Sequence, residues 1–360
     1  MALTRRDFLL YAAAAPLLHD PFVGGDPVFS RGFARSSQLA PGVFATISDT
    51  SKGLQCYSNG GVIAGRDATL IVEGHYEAAG AELELEIART VAKAPLLGVV
   101  NTHYHLDHTF GNIGYARHGV RIIAHDRVGP LMKERYTPLS ADGRTAALAP
   151  WQQRLAAAET PTDRAHREGD LRIVTWILDS IEHVALTQPT EALAPADLPK
   201  RIDLGGLTAV IEFHSGHSPT DLIIGIPERN VVFTGDLFFN RAYPVIADAD
   251  ILAWRKILDV FLTYDRRTQF VPGHGQVGTV ARVHEQTNVL DHLREHAERM
   301  IKLGVSVEEA ERRYAVPHAF EGYDMLCWNG TVGGAMRTYY AALAQTTGSE
   351  TLASRRSPIS

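Results

Sequence analysis

Between residues 101 and 108 the chain reads Asn-Thr-His-Tyr-His-Leu-Asp-His, which puts His103, His105, Asp107 and His108 within six residues. Ahead of them the apolar run 96–100 has the length and character of a short buried strand. Behind them residues 109–117 open a helical pattern with Asp107 near its N-terminus. Residues two apart at a strand end point the same way, so His103 and His105 can reach one metal ion. The chain then turns, and Asp107 and His108 can face a second site a few ångströms away. Imidazole nitrogen and carboxylate oxygen suit zinc, and also iron or manganese.

This His-x-His-x-Asp-His pattern resembles the signature of the metallo-β-lactamase superfamily. The resemblance implies an α/β fold, the four-layer αββα sandwich, with a metal site at one edge of the sheets. It also directs attention to three later motifs. A Gly-His loop at 216–221 follows the strand 207–213 and selects His217 over His214, which an extended chain would turn the other way. Phe233-Thr-Gly-Asp-Leu237 ends a buried strand on Asp236, where an unpaired carboxylate would be costly. Residues 270–275, Phe-Val-Pro-Gly-His-Gly, set His274 between two glycines that let the backbone approach a metal closely. Carried over motif by motif, His103, His105 and His217 would hold one ion and Asp107, His108 and His274 a second, with Asp236 bridging. An aspartate often stands in the family where this chain has Glu73. The longer side chain is a departure, and Glu73 is given no ligand role.

The rest of the chain fits this frame. Short β-type runs at 42–47, 61–64 and 68–72 precede a helix over 78–93, whose Leu83, Ile87 and Val91 recur every four residues. A strand over 121–125 follows, and its terminal His125 reads as a core or supporting residue. Residues 126–200 read as a helical insertion, with patches at 128–136, 146–158 and 171–186 and a Pro-rich loop over 189–199. In larger family members such a region shapes the substrate pocket. Strands at 222–226 and 231–234 form a hairpin across 227–230, and helices close the fold over 277–345. Ser306 to Glu309 has a capping-box pattern. His292-Leu-Arg-Glu-His296 matches an inverted zinc-protease motif, but its charged surroundings read as a solvated helix face.

Net charge is −6 and no Lys/Arg run appears, which excludes a basic nucleic-acid-binding surface. Two cysteines, Cys56 and Cys327, are too few for a disulfide framework and are read as unpaired thiols. Thr4-Arg-Arg-Asp-Phe-Leu-Leu10 resembles a twin-arginine export motif, followed by an apolar core over 8–18 that is too short to span a membrane. Residues 1–30 are therefore read as a signal peptide and linker, 31–345 as the catalytic domain and 346–360 as a disordered tail. The expected partners are the twin-arginine export machinery and a small-molecule substrate in the periplasm.

The family resemblance implies two zinc ions per chain and a metal-bridged hydroxide, oriented by Asp107, that opens an ester, thioester, lactone or lactam. No G-x-S-x-G or other covalent-catalysis motif competes with this. Dedicated zinc β-lactamases of the commonest subgroup carry Cys where this chain has Asp236, which favours a more general hydrolase. A one-iron persulfide dioxygenase shares the His-x-His-x-Asp-His loop and is the alternative from another enzyme class. The export reading has its own test: changing Arg5 and Arg6 together to lysine should retain the protein in the cytoplasm. Normal export of that variant, followed by cell fractionation, would contradict it.

Overall fold

The computed structural model describes residues 27–53, 55–246 and 248–343. The expected signal segment up to residue 26 and the expected tail lie outside these. Among the described residues thirteen strands make two sheets. The first holds β1 (Pro27–Arg31), β2 (Ala34–Ala40), β3 (Val43–Ser48), β4 (Gly60–Ala64), β5 (Thr69–Val72), β6 (Leu96–Val100), β7 (Ile122–His125) and β8 (Glu191–Leu193), in that order across the sheet. The second holds β9 (Lys200–Asp203), β10 (Thr208–Phe213), β11 (Leu222–Ile226), β12 (Val231–Phe239) and β13 (Gln269–His274), ordered β13-β12-β11-β10-β9. The sheet already begins at Pro27, ahead of the domain start expected at residue 31.

Alternation along the strands explains why the sheets stack. Ile63, Leu70, Val72, Val100 and Ile123 turn one face of the first sheet towards Ile211, Leu222, Ile224 and Phe233 of the second. Their neighbours Val62, Ile71, Val99 and Ile122 face the opposite way, onto Leu83, Leu85 and Ile87 of helix α1 (Ala78–Val91). Strands buried on both faces read as continuous apolar runs, as 69–72 does. On the far side of the second sheet, Ile223, Val232 and Phe270 meet Trp254, Leu258 and Phe261 of the helix Ile251–Leu262, together with Val283 and Leu290 of the helix Val280–Lys302. Helix, sheet, sheet and helix give the four layers expected.

β5 to β8 run parallel, so each connection must cross over. The last crossover is the insertion, made of helices Val128–Arg135, Ala141–Ala156 and Pro161–His183. The third starts ten residues before the expected 171, because residues 161–170 are polar and carry no apolar period. Its start is nevertheless marked: Thr160 caps Asp163 N and Pro161 fills the first turn. The expected loop over 189–199 also contains β8, whose three residues pair with β7. Arg167 on the long helix bonds Glu311 Oε1 at 2.6 Å and Asp163 at 3.1 Å, which locks the insertion to the C-terminal helices. Among the described residues both Cys56 and Cys327 are free thiols, and no helix is long and apolar enough to cross a membrane.

The reading of His292 to His296 as a solvated face needs correction. His296 is buried, its Nε2 lies 2.8 Å from the Ala310 carbonyl, and its ring packs against Tyr314. The charged neighbours Arg294 and Glu295 point outward while Leu293, His296 and Ala297 point inward. Helical spacing, not local charge density, decides the burial here. His296→Ala would strand a buried carbonyl, at a cost of roughly 1–3 kcal/mol. Urea denaturation should show that loss, while metal content and turnover at a neutral-pH plateau stay unchanged.

Candidate metal centre

The sequence-selected residues arrive from strand ends and the loops beyond them, except Asp236, whose strand runs on to Phe239 and does not end there as expected. His103 and His105 follow β6, and Asp107 and His108 lie on the short helix Leu106–Thr109 behind it. His217 lies between β10 and β11, Asp236 within β12, and His274 ends β13. Two glycines permit the convergence. Gly235 has φ +50°, and a Cβ there would lie 2.5 Å from Thr102 Oγ1. A Cβ on Gly273 would lie 1.8 Å from Asp236 Oδ1, so only glycine lets that carboxylate reach the centre.

The seven side chains form two groups of ligand-type atoms, His103, His105, His217 and Asp236 in one and Asp107, His108 and His274 in the other. In the first, His105 Nδ1 is 3.0 Å from His103 Nε2 and 2.9 Å from His217 Nε2, and Asp236 Oδ2 is 3.4 Å from His217 Nε2. In the second, Asp107 Oδ2 is 3.4 Å from His108 Nε2 and 3.2 Å from His274 Nε2. Asp236 Oδ1 completes that group, 3.2 Å from His108 Nε2 and 3.4 Å from His274 Nε2. Nitrogen and oxygen ligands of a tetrahedral zinc at its usual bond lengths are about 3.3 Å apart, which these separations match. The residues present therefore fit a metal centre.

A family model described as the metallo-beta-lactamase superfamily matches residues 53–274, more than half of the chain. The chain belongs to that superfamily. It is 32% identical over 91 residues to an uncharacterized protein of Mycobacterium tuberculosis, a match covering 22% of this chain and 39% of the relative. It is 36% identical over 67 residues to the metallo-beta-lactamase type 2 of Bacteroides fragilis, covering 18% and 27% respectively. The solved structure of the inverting sec-alkylsulfatase Pisa1 from Pseudomonas sp. superposes with a TM-score of 0.58 at 17% identity, over 85% of this chain and 50% of that one. The chain thus spans less than half the length of these curated relatives and half that of the sulfatase.

Within this metallo-β-lactamase fold, hydrogen bonds behind the ligands fix which imidazole nitrogen faces the centre. Thr102 spends its one hydroxyl proton on Glu73 Oε2 at 2.6 Å, so it accepts from His103 Nδ1 at 3.1 Å and leaves the His103 Nε2 lone pair inward. Glu73 Oε2 also lies 2.8 Å from His108 Nδ1, which turns His108 Nε2 inward. Glu73, passed over on sequence, is thus the acceptor that orients His108 and Thr102 together. Asp248 does the same for His105, with Oδ2 at 3.4 Å from Nε2, and is itself held by the Tyr104 hydroxyl and by Arg135 at 3.4 Å. No spacing marked Asp248, which a long loop brings back. Asp221 holds the His217 loop by accepting from Gly216 N at 3.0 Å and Ser218 N at 2.8 Å, and burial pushes its pKa up to about 7. His214 points instead towards Glu212, and His125 packs on Phe213 away from the centre.

The two groups differ electrically. Burial, reinforced by His108 and His105, drives the His103 pKa well below its usual value, and burial brings His217 down to about 3. Burial opposes protonation of His108 too, but Asp107, Asp236 and Glu73 outweigh it and raise its pKa well above normal. Against the same burial penalty, Asp236 and Asp107 lift His274 to about 9. The negative field that favours a proton there equally favours a cation. Aromatic rings adjoin the second group: Tyr57 lies edge-on to His274 at 5.6 Å and 6.2 Å from Trp176 of the insertion. Glu73→Ala should cost about 10–100-fold in metal affinity, read by competition with a chromophoric chelator.

Proposed function

We propose that this chain is a zinc-dependent hydrolase of a small molecule carrying an ester, thioester, lactone or lactam bond. The supporting observation is Asp236, which presents one carboxylate oxygen to each donor group. In this reading His103, His105 and His217 would hold one zinc ion, and Asp107, His108 and His274 the other. Two such ions, when bound, supply Lewis-acid polarisation of the scissile bond and lower the pKa of a water from 15.7 towards about 7. Asp107 has one oxygen in the second group; the other is left to accept a hydrogen bond from the attacking water and pass its proton to the leaving group. Tyr57 and Trp176 pack the apolar part of the substrate and exclude water. Asp236, where the commonest zinc β-lactamases have Cys, weighs against a dedicated lactamase. The complete second group weighs against the one-iron dioxygenase reading. Export to the periplasm is part of the same proposal and rests on Arg5 and Arg6.

Protein purified without chelator should contain two zinc ions per chain by elemental analysis, and chelation should abolish turnover. His274→Ala should lose one ion. Removing a single transition-state donor costs on the order of 10²–10³ in rate, and this variant should fall at least that far on a panel of ester, thioester and lactam substrates. Fully active protein holding one iron and consuming oxygen would overturn the proposal.

A further inference from the structure

A segment outside the ligand set touches both loops of the second donor group. Asn59 is buried, and every polar atom of its amide is committed. Its Nδ2 donates to Pro272 O at 2.9 Å and Gly275 O at 2.7 Å, so it brackets His274 from both sides. Its backbone N–H adds a third bond to Gly273 O at 2.8 Å, and its Oδ1 accepts from Ser48 N at 2.9 Å. The preceding residue, Ser58, is also fully buried and donates its hydroxyl to Asp107 O at 2.8 Å. That carbonyl belongs to a four-residue helix too short to satisfy its own ends.

Ser58 is in turn held from behind. Its carbonyl lies 3.1 Å from His75 Nδ1, and His75 Nε2 lies 3.2 Å from Glu84 Oε1, with both side chains wholly buried. A carbonyl only accepts, so Nδ1 carries the proton and His75 is fixed in orientation. His75 adopts φ +59°, a left-handed conformation unusual for a non-glycine residue, and its own carbonyl accepts from Gly111 N at 2.9 Å, at the far end of the ligand-bearing turn. Neighbouring Glu73, also left-handed at φ +90°, already serves His108. The first donor group is braced by different residues, Thr102, Asp248 and Asp221.

We infer that Ser58 and Asn59 form a strap, anchored by His75 and Glu84, that sets the spacing of the Asp107 and His274 loops and so controls the affinity of the second metal site alone. These are positioning residues; none lies in either donor group. The inference rests on the two-ion reading above. It predicts a split that general destabilisation would not produce.

The test is zinc release from the loaded full-length protein to a chromophoric chelator, for the native chain and for Asn59→Ala and Ser58→Ala. Outer-shell changes at metal sites typically cost about 10–100-fold in affinity. Half of the zinc should leave the variants that much more readily, while the other half leaves as in the native protein. Should Asn59→Ala fail to fold, Ser58→Ala removes a single hydroxyl and decides the matter. Native protein with two ions, beside variants in which both ions or neither are weakened, overturns the strap and leaves the two-ion reading intact. Native protein holding one ion overturns the two-ion reading and the strap with it.

Discussion

The architecture turns on one buried carboxylate. Asp236 lies within a strand whose nine residues are all buried, where an isolated charge would be prohibitively costly. Five imidazoles surround it, and burial alone would raise its pKa, yet His274 and His108 pull it well below the normal carboxylate range. The fold must therefore deliver histidines from three other chain segments to one point. That requirement explains why Gly235 and Gly273 cannot carry side chains.

Local strain accompanies this convergence. Glu73 and His75 flank Gly74 in left-handed conformations, each costing of order 1–3 kcal/mol. The arch returns that cost through contacts a relaxed strand end could not make. Gly74 N bonds His108 O, the His75 carbonyl takes Gly111 N, and the Glu73 carbonyl takes the Tyr115 hydroxyl. The Gly74 N–H thereby satisfies the His108 carbonyl at the end of the short helix, and the other two bonds tie the same segment to the helix that follows, giving these side chains a rigid floor.

The cluster of ligand-type residues and the layers were legible because each depends on short-range pattern. His103 to His108 sit in six residues, and the strands 69–72, 96–100 and 222–226 are apolar runs between turn signals. What was not legible depends on contact across distance. Glu73 was given no ligand role and lies in neither donor group, but that its carboxylate reaches both Thr102 and His108 is a contact across distance. Asp248 acquires its partner 143 residues away in sequence, and no periodicity announces that. His296 was misread because charge on neighbouring residues says nothing of the face its own side chain occupies. The long insertion helix was entered late because its first half, 161–170, meets its partners through Arg167 and Asp170, not through apolar residues.

That charged seam has a consequence for the substrate side. The helix Ala141–Ala156 has no buried residue, while Val128, Met132, Tyr136 and Ile181 seat the rest of the insertion on Tyr104, Leu106 and Phe110, and Arg167 to Glu311 and Asp170 to the backbone of Asn329 add polar ties. Asp170, pushed up to about 6 by burial, sits on the same helix as Trp176, which stacks on Tyr76 at 5.1 Å and flanks Tyr57 beside His274. The metal loops are braced by main-chain bonds that tolerate little change. The aromatic rings are carried by an insertion held through side-chain packing and a few polar ties. A scaffold of this kind sets the donor groups on rigid strand ends and places variable segments around them, the arrangement by which one fold can host different sites.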